Sequence, residues 1–420
     1  MKENHYVYFE LELVGTIERK RDATLSFSYS KDWPKSGKSF SLSPILSMAS
    51  DGPFDNRQTR SFFENLLPEG KVRERLEKLT GKSLTDSYQF LEKFGVDCAG
   101  AIVISSSPDL TDQLLEEDYN RVDLEELAKA HTSNQNLMVH VMEKHQGRFS
   151  LAGAQDKVPV VIKGNEVLVA KNGPPTTHIL KPPHYDKAVK NSVHNEYFCM
   201  KLAKSCGLNV PEVDVIEAGI PFYTIERYDR VVRDEKIYRL HQVDFCQAQN
   251  YLAQEKYEED RGPSLKENYF CIRNNSSRVI PDTKQFMQWI WFNLLIGNND
   301  CHSKNLSFLL ENGKTRLAPF YDILCTSIYP QYAPTFPYRI GGKANWGQLS
   351  TTDLQREIIS WGLDKNPDLL SLEYFALKKI LEKLLGDEVK KFCERFPKNK
   401  TAGRIKTEVE KRMRSFDRRL

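Results

Sequence analysis

The sequence predicts an α+β fold, in which strand-rich segments come first and a long helical region follows. Residues 6–50 alternate apolar and polar side chains, as antiparallel strands do, with turns predicted at Gly15 and around residues 32–34. Strand-like alternation returns over residues 147–229 and gives way from residue 230 onward to helical spacing. The chain of 420 residues exceeds one ordinary hydrophobic core, so we expect more than one domain.

The character of the chain changes at three points, which we interpret as domain boundaries. An N-terminal β/α subdomain is predicted over residues 1–110, and a charged, mostly helical connector over residues 111–146. A small β-rich lobe is predicted over residues 147–229 and a helical lobe over residues 230–420. The functional residues are therefore expected in the last two parts of the chain.

Composition and charge are those of an ordinary globular protein. Hydrophobic residues make up 40% and charged residues 28%, and a net charge of +3 is too small to predict a polyanionic partner. The eight cysteines form no C-x-x-C pair, which favours reduced thiols over disulfides or a zinc site. The N-terminus lacks a signal-peptide layout, and the longest uncharged apolar run, residues 286–297, is far short of the ~20 residues that a membrane span needs. We therefore expect a cytoplasmic protein without a membrane partner.

The most informative stretch is FMQWIWFNLLIGNNDCHSKN, residues 286–305, in which an apolar helix breaks at Gly297 and a polar cluster follows. Asp300 and Asn305 have the D-x-x-x-x-N spacing of a protein-kinase catalytic loop. In that loop the Asp accepts the proton of the attacking hydroxyl and the Asn holds a magnesium ion. Asp322 follows an apolar pair further along, where a kinase places its second metal-binding carboxylate. The spacing therefore predicts phosphoryl transfer with ATP and Mg²⁺.

Two earlier segments offer the groups that a kinase uses to hold phosphates. The small residues Ala152, Gly153 and Ala154 lie between strand-like flanks and suit a loop whose backbone amides approach a phosphate, although this motif alone favours a plain tight turn. Lys181 ends a short apolar strand, and Glu196 lies early in the following helix, as in kinases that orient the α- and β-phosphates with such a pair. A solvated surface lysine and a first-turn carboxylate near the helix dipole are the alternatives.

Residues 221–230 run from apolar to charged between the β-rich and the helical lobe. This is the position expected for a hinge whose backbone could read an adenine edge. A β-rich lobe, a hinge and a helical lobe together form the layout with which kinases grasp ATP. The predicted fold is therefore a two-lobed, protein-kinase-like α+β fold with an additional N-terminal subdomain.

With these segments in order, the chain resembles the HipA family of serine/threonine kinases, which serve as toxins in bacterial toxin–antitoxin pairs. The resemblance covers nearly the whole chain, and although no single motif is decisive, the ordered set is specific. The motifs that carry it are FFENLLPEG (62–70), SLAGAQDK (150–157), HILKPP (178–183), HNEYFCMKLAKSCGLNVP (194–211), IERYDR (225–230), the 286–306 stretch and APFYDIL (318–324).

The resemblance implies a role for each matching position. Asp300 would be the catalytic base, and Asn305 and Asp322 would be the magnesium ligands. Lys181 would bind the phosphates, with Glu196 as its supporting ion-pair partner. The remaining nucleotide-binding positions implied are those of the phosphate loop, the hinge backbone and a loop histidine: Ala152, Gly153, Ala154, Gln155, Asp156, Lys157, Glu226, Tyr228 and His302.

Ser150 matches the serine that such kinases autophosphorylate. A phosphate there would add about −1.5 to −2 charges at pH 7 beside the predicted phosphate loop, so we expect phosphorylation to expel the loop or the nucleotide and switch the enzyme off. Every signature position is filled, which implies an active kinase. The departures from the family pattern are mild: Cys301 lies inside the catalytic loop, and Asp156 stands where a longer acid is common. His302 is as well suited to shaping its loop as to chemistry.

The resemblance also implies a biological role. The chain would be the toxin of a type II toxin–antitoxin pair and would arrest growth by phosphorylating a translation factor. The family implies that this factor is an aminoacyl-tRNA synthetase, typically the glutamyl enzyme. It would bind a small DNA-binding antitoxin resembling HipB and reach operator DNA mainly through it, because the sequence has no convincing helix-turn-helix. Two alternatives stay open: a chain that serves chiefly as an antitoxin-bound co-repressor at operator DNA, and a kinase of a small-molecule acceptor.

Overall fold

The computed structural model describes residues 3–50, 52–80, 87–109, 118–145, 152–153, 155–171, 173–332 and 334–420. The chain forms two compact units. The first comprises Met1–Pro182, Ile216–Ala253 and Leu309–Gly313, and the second comprises Pro183–Val215, Gln254–Phe308 and Lys314–Leu420. The four-part division predicted from the sequence remains a prediction.

The first unit begins with an N-terminal group of short strands and helices. These are β1 (Glu3–Phe9), β2 (Glu12–Arg19), β3 (Leu25–Tyr29), α1 (Asn56–Phe63), α2 (Gly70–Thr80), α3 (Ser87–Phe94) and β4 (Ile102–Ser105). The strands form an antiparallel sheet in the order β3-β2-β1-β4. The antiparallel strands that alternation predicted at the start of the chain are therefore confirmed.

The turn predicted at Gly15 is wrong, because β2 runs through this residue. A Cβ added at Gly15 would lie 2.4 Å from the Ser28 carbonyl oxygen and 2.6 Å from the Phe27 ring, so only glycine permits this close approach of the neighbouring strand. The turn lies instead at Glu10, which has a positive φ of 53°. The turn predicted around residues 32–34 is confirmed, since Asp32 precedes a single 3₁₀ turn.

The remainder of the first unit is organised around a six-stranded sheet. The elements that precede residue 182 are β5 (Tyr119–Arg121), α4 (Leu124–Thr132), α5 (Leu137–His145), β6 (Val158–Lys163), β7 (Glu166–Ala170) and β8 (His178–Lys181). After α6 (Ser192–Ser205) of the second unit come β9 (Val213–Ala218), β10 (Ile220–Glu226), β11 (Arg230–Arg233), β12 (Lys236–Arg239), β13 (His241–Asp244) and α7 (Phe245–Ala248). The sheet has the order β5-β7-β6-β8-β10-β9, and the pair β8–β10 places Lys181 opposite Tyr223 and His178 opposite Glu226.

Strands also occur after residue 230, which helical spacing did not predict. The hairpin β11–β12 leaves the large apolar side chains of Val232 and Tyr238 exposed, at 61% and 42% of their surface. A two-stranded ribbon that buries so little of either face lacks a clean apolar–polar alternation, so its sequence carries no strong strand signal.

The remaining elements belong mainly to the second unit, which is helical. They are α8 (Leu265–Asn275), α9 (Val279–Ile296), β14 (Ser307–Glu311), β15 (Lys314–Leu317), α10 (Thr351–Ser360), α11 (Leu369–Arg395) and α12 (Thr401–Phe416). The chain therefore combines several small sheets with a mainly helical second unit, which confirms the α+β class.

Helix α9 forms the core of the second unit, and its stretch from Trp289 to Ile296 is buried on all sides. Its Trp289, Trp291 and Phe292 have no exposed surface, and the helix packs against α8, α11 and α12. The Trp291 indole nitrogen donates to the Leu370 carbonyl oxygen at 2.7 Å, so the polar end of this large side chain is satisfied inside the core. The helix therefore provides a rigid support for the loop that follows it.

The structure bears on two predictions made from composition, the state of the cysteines and the lack of a membrane span. All eight cysteines are free thiols, as the absence of C-x-x-C pairs predicted, and only Cys393 among them is exposed. Among the residues that the structure describes, no helix is both long enough and apolar enough to cross a bilayer.

Candidate active site

The predicted catalytic loop is fixed at its start, where Gly297 ends α9 with a positive φ of 75°. The Gly297 carbonyl oxygen accepts hydrogen bonds from the Thr326 hydroxyl (3.1 Å), the Ser327 amide (3.0 Å) and the Ser327 hydroxyl (2.9 Å). The Asn299 amide donates to the Thr326 hydroxyl at 2.8 Å. These bonds hold the first turn of the loop against residues 326–327.

Replacing Gly297 with Ala is expected to lower the free energy of unfolding by about 2 kcal/mol or more. The left-handed backbone alone costs about 1–2 kcal/mol for a residue with a Cβ, and that Cβ would lie 2.6 Å from the Ser327 Oγ and 3.1 Å from an Arg412 guanidinium nitrogen. Denaturant unfolding measures the loss. The control is Gly386→Ala inside α11, where an added Cβ meets nothing within 4 Å and should add about 0.5–1 kcal/mol. Equal stability of the two variants would contradict the prediction.

Asp300 lies at the centre of this loop and is held through both its backbone and its side chain. One carboxylate oxygen, Oδ1, accepts a hydrogen bond from the Tyr257 hydroxyl. The Asp300 amide donates to the Asn298 Oδ1 at 3.1 Å. Its carbonyl oxygen accepts from the His302 amide at 3.0 Å and from the Asn305 Nδ2 at 3.1 Å. The carboxylate therefore has a fixed orientation, as a general base requires.

The structure brings three predicted residues of the loop together. Asn305 is buried, and because its Nδ2 faces the Asp300 carbonyl oxygen, its Oδ1 is the atom suited to a hard cation. His302 is also buried, and its ring meets the Tyr257 ring edge-on, with the ring centroids 5.1 Å apart. This contact gives His302 a packing role beside the tyrosine that holds Asp300.

Asp322 lies on a segment that adjoins the loop. The Tyr321 hydroxyl donates to the Lys304 carbonyl oxygen at 2.6 Å. Tyr321 directly precedes Asp322, and Lys304 directly precedes Asn305, with consecutive Cα atoms about 3.8 Å apart. This hydrogen bond therefore joins the two segments that carry the predicted metal ligands. Asp322 itself has a φ of 59°, a left-handed conformation that few non-glycine residues adopt and that is often found at functional sites.

The oxygen donors of these residues fit Mg²⁺ chemically. Mg²⁺ prefers carboxylate and amide oxygens and is held in phosphotransferases by one or two such side chains, with substrate phosphates and water completing its shell. Among the described residues, no three His, Cys, Asp or Glu side chains cluster as an all-protein metal site. An Asn with one Asp is the smaller donor set that a kinase uses.

Lys181 lies at the end of β8 in the first unit and is only 7% exposed. Its ammonium nitrogen lies 5.6 Å from the centroid of the Tyr223 ring, a cation–π distance. The alternative of a solvated surface lysine is therefore wrong. Glu196 of the second unit is also buried, within α6. The ion pair between Lys181 and Glu196 stays a prediction.

The described part of the predicted phosphate loop is anchored to the N-terminal part of the first unit. Gly153 has a φ of 111°, pairs with Pro68 in an isolated parallel bridge, and accepts a hydrogen bond from the Glu69 amide at 3.1 Å. The Lys157 ammonium lies 2.9 Å from where a Cβ on Gly153 would be, so a cation lies directly over this backbone. Ala152 and Gln155 flank the same turn and are half-buried.

Two predicted positions of this loop, Ser150 and Ala154, lie outside the described residues. Asp156 is described and has a clear structural function. Its carboxylate accepts hydrogen bonds from the amides of Leu137 (2.7 Å) and Met138 (3.2 Å), the first two residues of α5. It therefore stabilises the positive end of that helix, and its contact with a nucleotide stays a prediction.

The two predicted hinge residues differ in their surroundings. Glu226 is exposed at the end of β10. The Tyr228 hydroxyl donates to the Gln242 Oε1. Between them Arg227 is buried and points into a cluster of charged side chains that includes Asp97. The predicted hinge therefore presents the side chain of Glu226 to solvent and buries that of Arg227.

Two features of the site were missed by sequence reasoning. Tyr257 is 43 positions from Asp300, and no local pattern marks it as the partner of the predicted base. Asp97 likewise carries no motif. The only available signal was the alternation of charges in Arg227, Asp229 and Arg230 directly after a buried strand, since buried charges need partners.

Comparisons with known proteins give several sequence matches. Residues 5–105 match the model of the HipA N-terminal domain, and residues 149–390 match that of the HipA-like C-terminal domain. The putative kinase Y4mE of Sinorhizobium fredii is 33% identical over 363 residues, 83% of each chain. The serine/threonine-protein kinase toxin HipA of Shewanella oneidensis is 29% identical over 358 residues, 82% of this chain and 79% of that protein.

A solved structure shows the same fold. A chain from the Shewanella oneidensis toxin–antitoxin complex of HipA, HipB and operator DNA superimposes with a TM-score of 0.82 at 24% identity. The match covers 98% of this chain and 97% of the other. The protein-kinase-like fold predicted from the sequence, with its additional N-terminal subdomain, is thereby confirmed.

Proposed function

The chain belongs to the HipA family, and on that premise we propose that it is an ATP- and Mg²⁺-dependent protein serine/threonine kinase that acts as the toxin of a type II toxin–antitoxin pair. The observation that carries the proposal is the fixed orientation of Asp300, whose carboxylate is held by Tyr257 and whose carbonyl oxygen is held by Asn305. A base oriented in this way beside two oxygen ligands for a metal is what phosphoryl transfer to a hydroxyl requires.

Each group has a defined task in the proposed reaction. Asp300 accepts the proton of the acceptor hydroxyl as that oxygen bonds to the γ-phosphorus of ATP. Asn305 and Asp322 would hold Mg²⁺, which would neutralise charge on the phosphates as the bond from the γ-phosphorus to ADP breaks. Lys181 and the backbone around Gly153 hold the phosphates. The hinge backbone at residues 226–228 binds the adenine.

The acceptor is proposed to be a translation factor, specifically an aminoacyl-tRNA synthetase, whose phosphorylation arrests growth. A relative named a serine/threonine-protein kinase toxin supports a protein hydroxyl as the acceptor. The choice of a synthetase rests on the family resemblance alone. The experiment is phosphosite mapping after brief expression of the wild type and of Asp300→Asn in a bacterial host. A phosphorylated synthetase peptide found with the wild type and lost with the variant supports the proposal. The same phosphopeptides in both samples would contradict it.

The partner is proposed to be a small DNA-binding antitoxin similar to HipB, through which the chain would reach operator DNA. The related chain of known structure was solved together with HipB and operator DNA, which supports such a partner. This role and the kinase activity are compatible in one chain, so the two do not compete.

Autophosphorylation of Ser150 is proposed to switch the enzyme off. Repulsion between two unit negative charges 4 Å apart is about 1 kcal/mol even in water. Because about 1.4 kcal/mol corresponds to a factor of ten, the phosphorylated form should bind ATP on the order of tenfold more weakly. Calorimetric titration of Mg-ATP into the purified phosphorylated form and into Ser150→Ala measures the difference. Equal affinities would remove the regulatory part of the proposal and leave the kinase assignment intact.

A further inference from the structure

A cluster of buried charges lies directly beside the hinge, within the first unit. Asp97 accepts from Arg227 at 3.0 Å and from Arg230 at 2.7 Å, and Asp229 pairs with the same two arginines at 3.1 Å and 2.8 Å. The side chains of Asp97, Arg227 and Arg230 are between 0% and 2% exposed. Arg239 completes the cluster, 3.8 Å from Asp97.

The cluster joins the hinge to residues 97–100, which precede β4. Arg227 donates to the Cys98 carbonyl oxygen at 2.9 Å, and Arg230 donates to the Gly100 carbonyl oxygen at 2.9 Å. In return, the Gly100 amide donates to the Asp229 carboxylate at 2.7 Å. Residues separated by about 130 positions are thus locked together by charge-assisted hydrogen bonds, which are the strong ones.

The charges in this cluster compensate one another. Burial by itself would raise the pKa of Asp97, but the positive charges of Arg227, Arg230 and Arg239 outweigh it and keep the pKa below its ordinary value. Burial likewise opposes ionisation of Asp229, yet the adjacent Arg227 and Arg230 lower its pKa to about 2. Both acids are therefore ionised at neutral pH.

Buried ion pairs seldom add net stability, because desolvation of the charges offsets their attraction. Stability alone therefore does not explain a cluster of this size. Its position beside the predicted hinge suggests that it fixes the hinge backbone. Arg227 stands between the two predicted hinge residues, Glu226 and Tyr228. The β8–β10 ladder ends at Glu226, and beyond it the backbone is held by a bond from the Arg227 amide to the Thr177 carbonyl oxygen at 2.8 Å. The bonds that the Arg227 side chain makes in the cluster restrain the backbone at this same residue.

We infer that Asp97 is a positioning residue for nucleotide recognition: by holding Arg227 and Arg230, it sets the backbone of residues 226–228 where it can read adenine. The inference rests on the proposed function, in which this backbone contacts the base. Backbone donors and acceptors select one base only if their spacing is fixed to a fraction of an ångström. Preference for ATP over GTP is therefore expected to depend on Asp97, although Asp97 does not touch the nucleotide.

Binding affinities of the full chain for Mg-ATP and Mg-GTP, measured by calorimetry, test this inference independently of catalysis. Asp97→Asn should lower the ratio of ATP to GTP affinity on the order of tenfold. Thr176→Val offers a milder variant if Asp97→Asn does not fold. The Thr176 hydroxyl bridges Asp97 (2.9 Å) and Arg227 (3.0 Å), so its loss leaves every charge paired and should shift the ratio in the same direction by less.

Glu64→Gln is the matched control. Glu64 is a carboxylate of the same unit with a 9% exposed side chain, paired with Arg60 at 2.7 Å and with no role in the hinge. Its variant should keep the wild-type nucleotide preference. An unchanged preference in the Asp97 and Thr176 variants, or an equal loss in Glu64→Gln, would overturn the inference. A wild type that binds ATP selectively but transfers no phosphate would refute the proposed function alone.

Discussion

Asp300→Asn is expected to lower the rate of phosphate transfer by on the order of 10²- to 10⁴-fold, the range of positioned base catalysis. Asn has the same shape and can still accept the hydrogen bond from Tyr257, and the bonds to Asn298, His302 and Asn305 involve only the Asp300 backbone. The loop should therefore keep its structure while losing the group that accepts the proton. Intact-mass measurement of phosphate gained over time with ATP and Mg²⁺ gives the rate.

The matched control for this variant is Asp364→Asn, which removes one exposed carboxylate from the same unit. It should autophosphorylate at the wild-type rate. Affinity for Mg-ATP should stay within about threefold of the wild type in both variants, because the base acts in the transition state and not in binding nucleotide. An Asp300→Asn enzyme that retained a tenth or more of the wild-type rate would assign the base to another residue.

The proximity of residues that share a short motif could be predicted from the sequence. Asp300 and Asn305 are five positions apart on one loop, and the apolar helix before them is long enough to be recognised from its composition. Local spacing of this kind is preserved in any fold that keeps the loop, so the structure places them together. The same holds for Lys181, whose apolar strand correctly indicated a β-sheet position.

Residues that act through distant partners were not accessible. Tyr257 meets Asp300, and Asp97 meets Arg227, only because the chain folds back over 43 and 130 positions. Periodicity reports which face of an element is apolar but not which polar side chain another element will bring to it. Asp156 illustrates the same limit: its motif indicated a phosphate loop, while its carboxylate caps a helix that begins nineteen positions earlier.

Gly15 and the strands after residue 230 show two further limits of local patterns. A glycine within an alternating segment is equally compatible with a turn and with a close contact inside a strand. At Gly15 the close contact is with the Phe27 ring, which lies on another strand. The hairpin β11–β12 buries too little surface to carry a period-two signal. In both cases tertiary packing, which local sequence does not encode, decides the conformation.

Asp322→Asn is expected to lower Mg²⁺-dependent phosphate transfer by on the order of 10²-fold without changing stability. A carboxylate that holds the metal contributes part of the several kcal/mol of charge stabilisation that the ion supplies, and about 2.7 kcal/mol corresponds to a hundredfold. Asn tolerates the left-handed backbone that Asp322 adopts, with its φ of 59°, so the substitution isolates the charge. The half-saturating Mg²⁺ concentration should rise in the same titration.

Asp322→Ala separates metal binding from backbone strain. Alanine pays about 1–2 kcal/mol for the left-handed conformation, so this variant should lose activity as Asp322→Asn does and, in addition, unfold at lower denaturant. Asn312→Ala is the control, because Asn312 has a comparable φ of 51° in an exposed turn and no predicted role in the site. It should show the same loss of stability with unchanged activity and Mg²⁺ dependence. An Asp322→Asn enzyme with wild-type Mg²⁺ dependence would exclude Asp322 as a metal ligand and leave its left-handed backbone without a functional explanation.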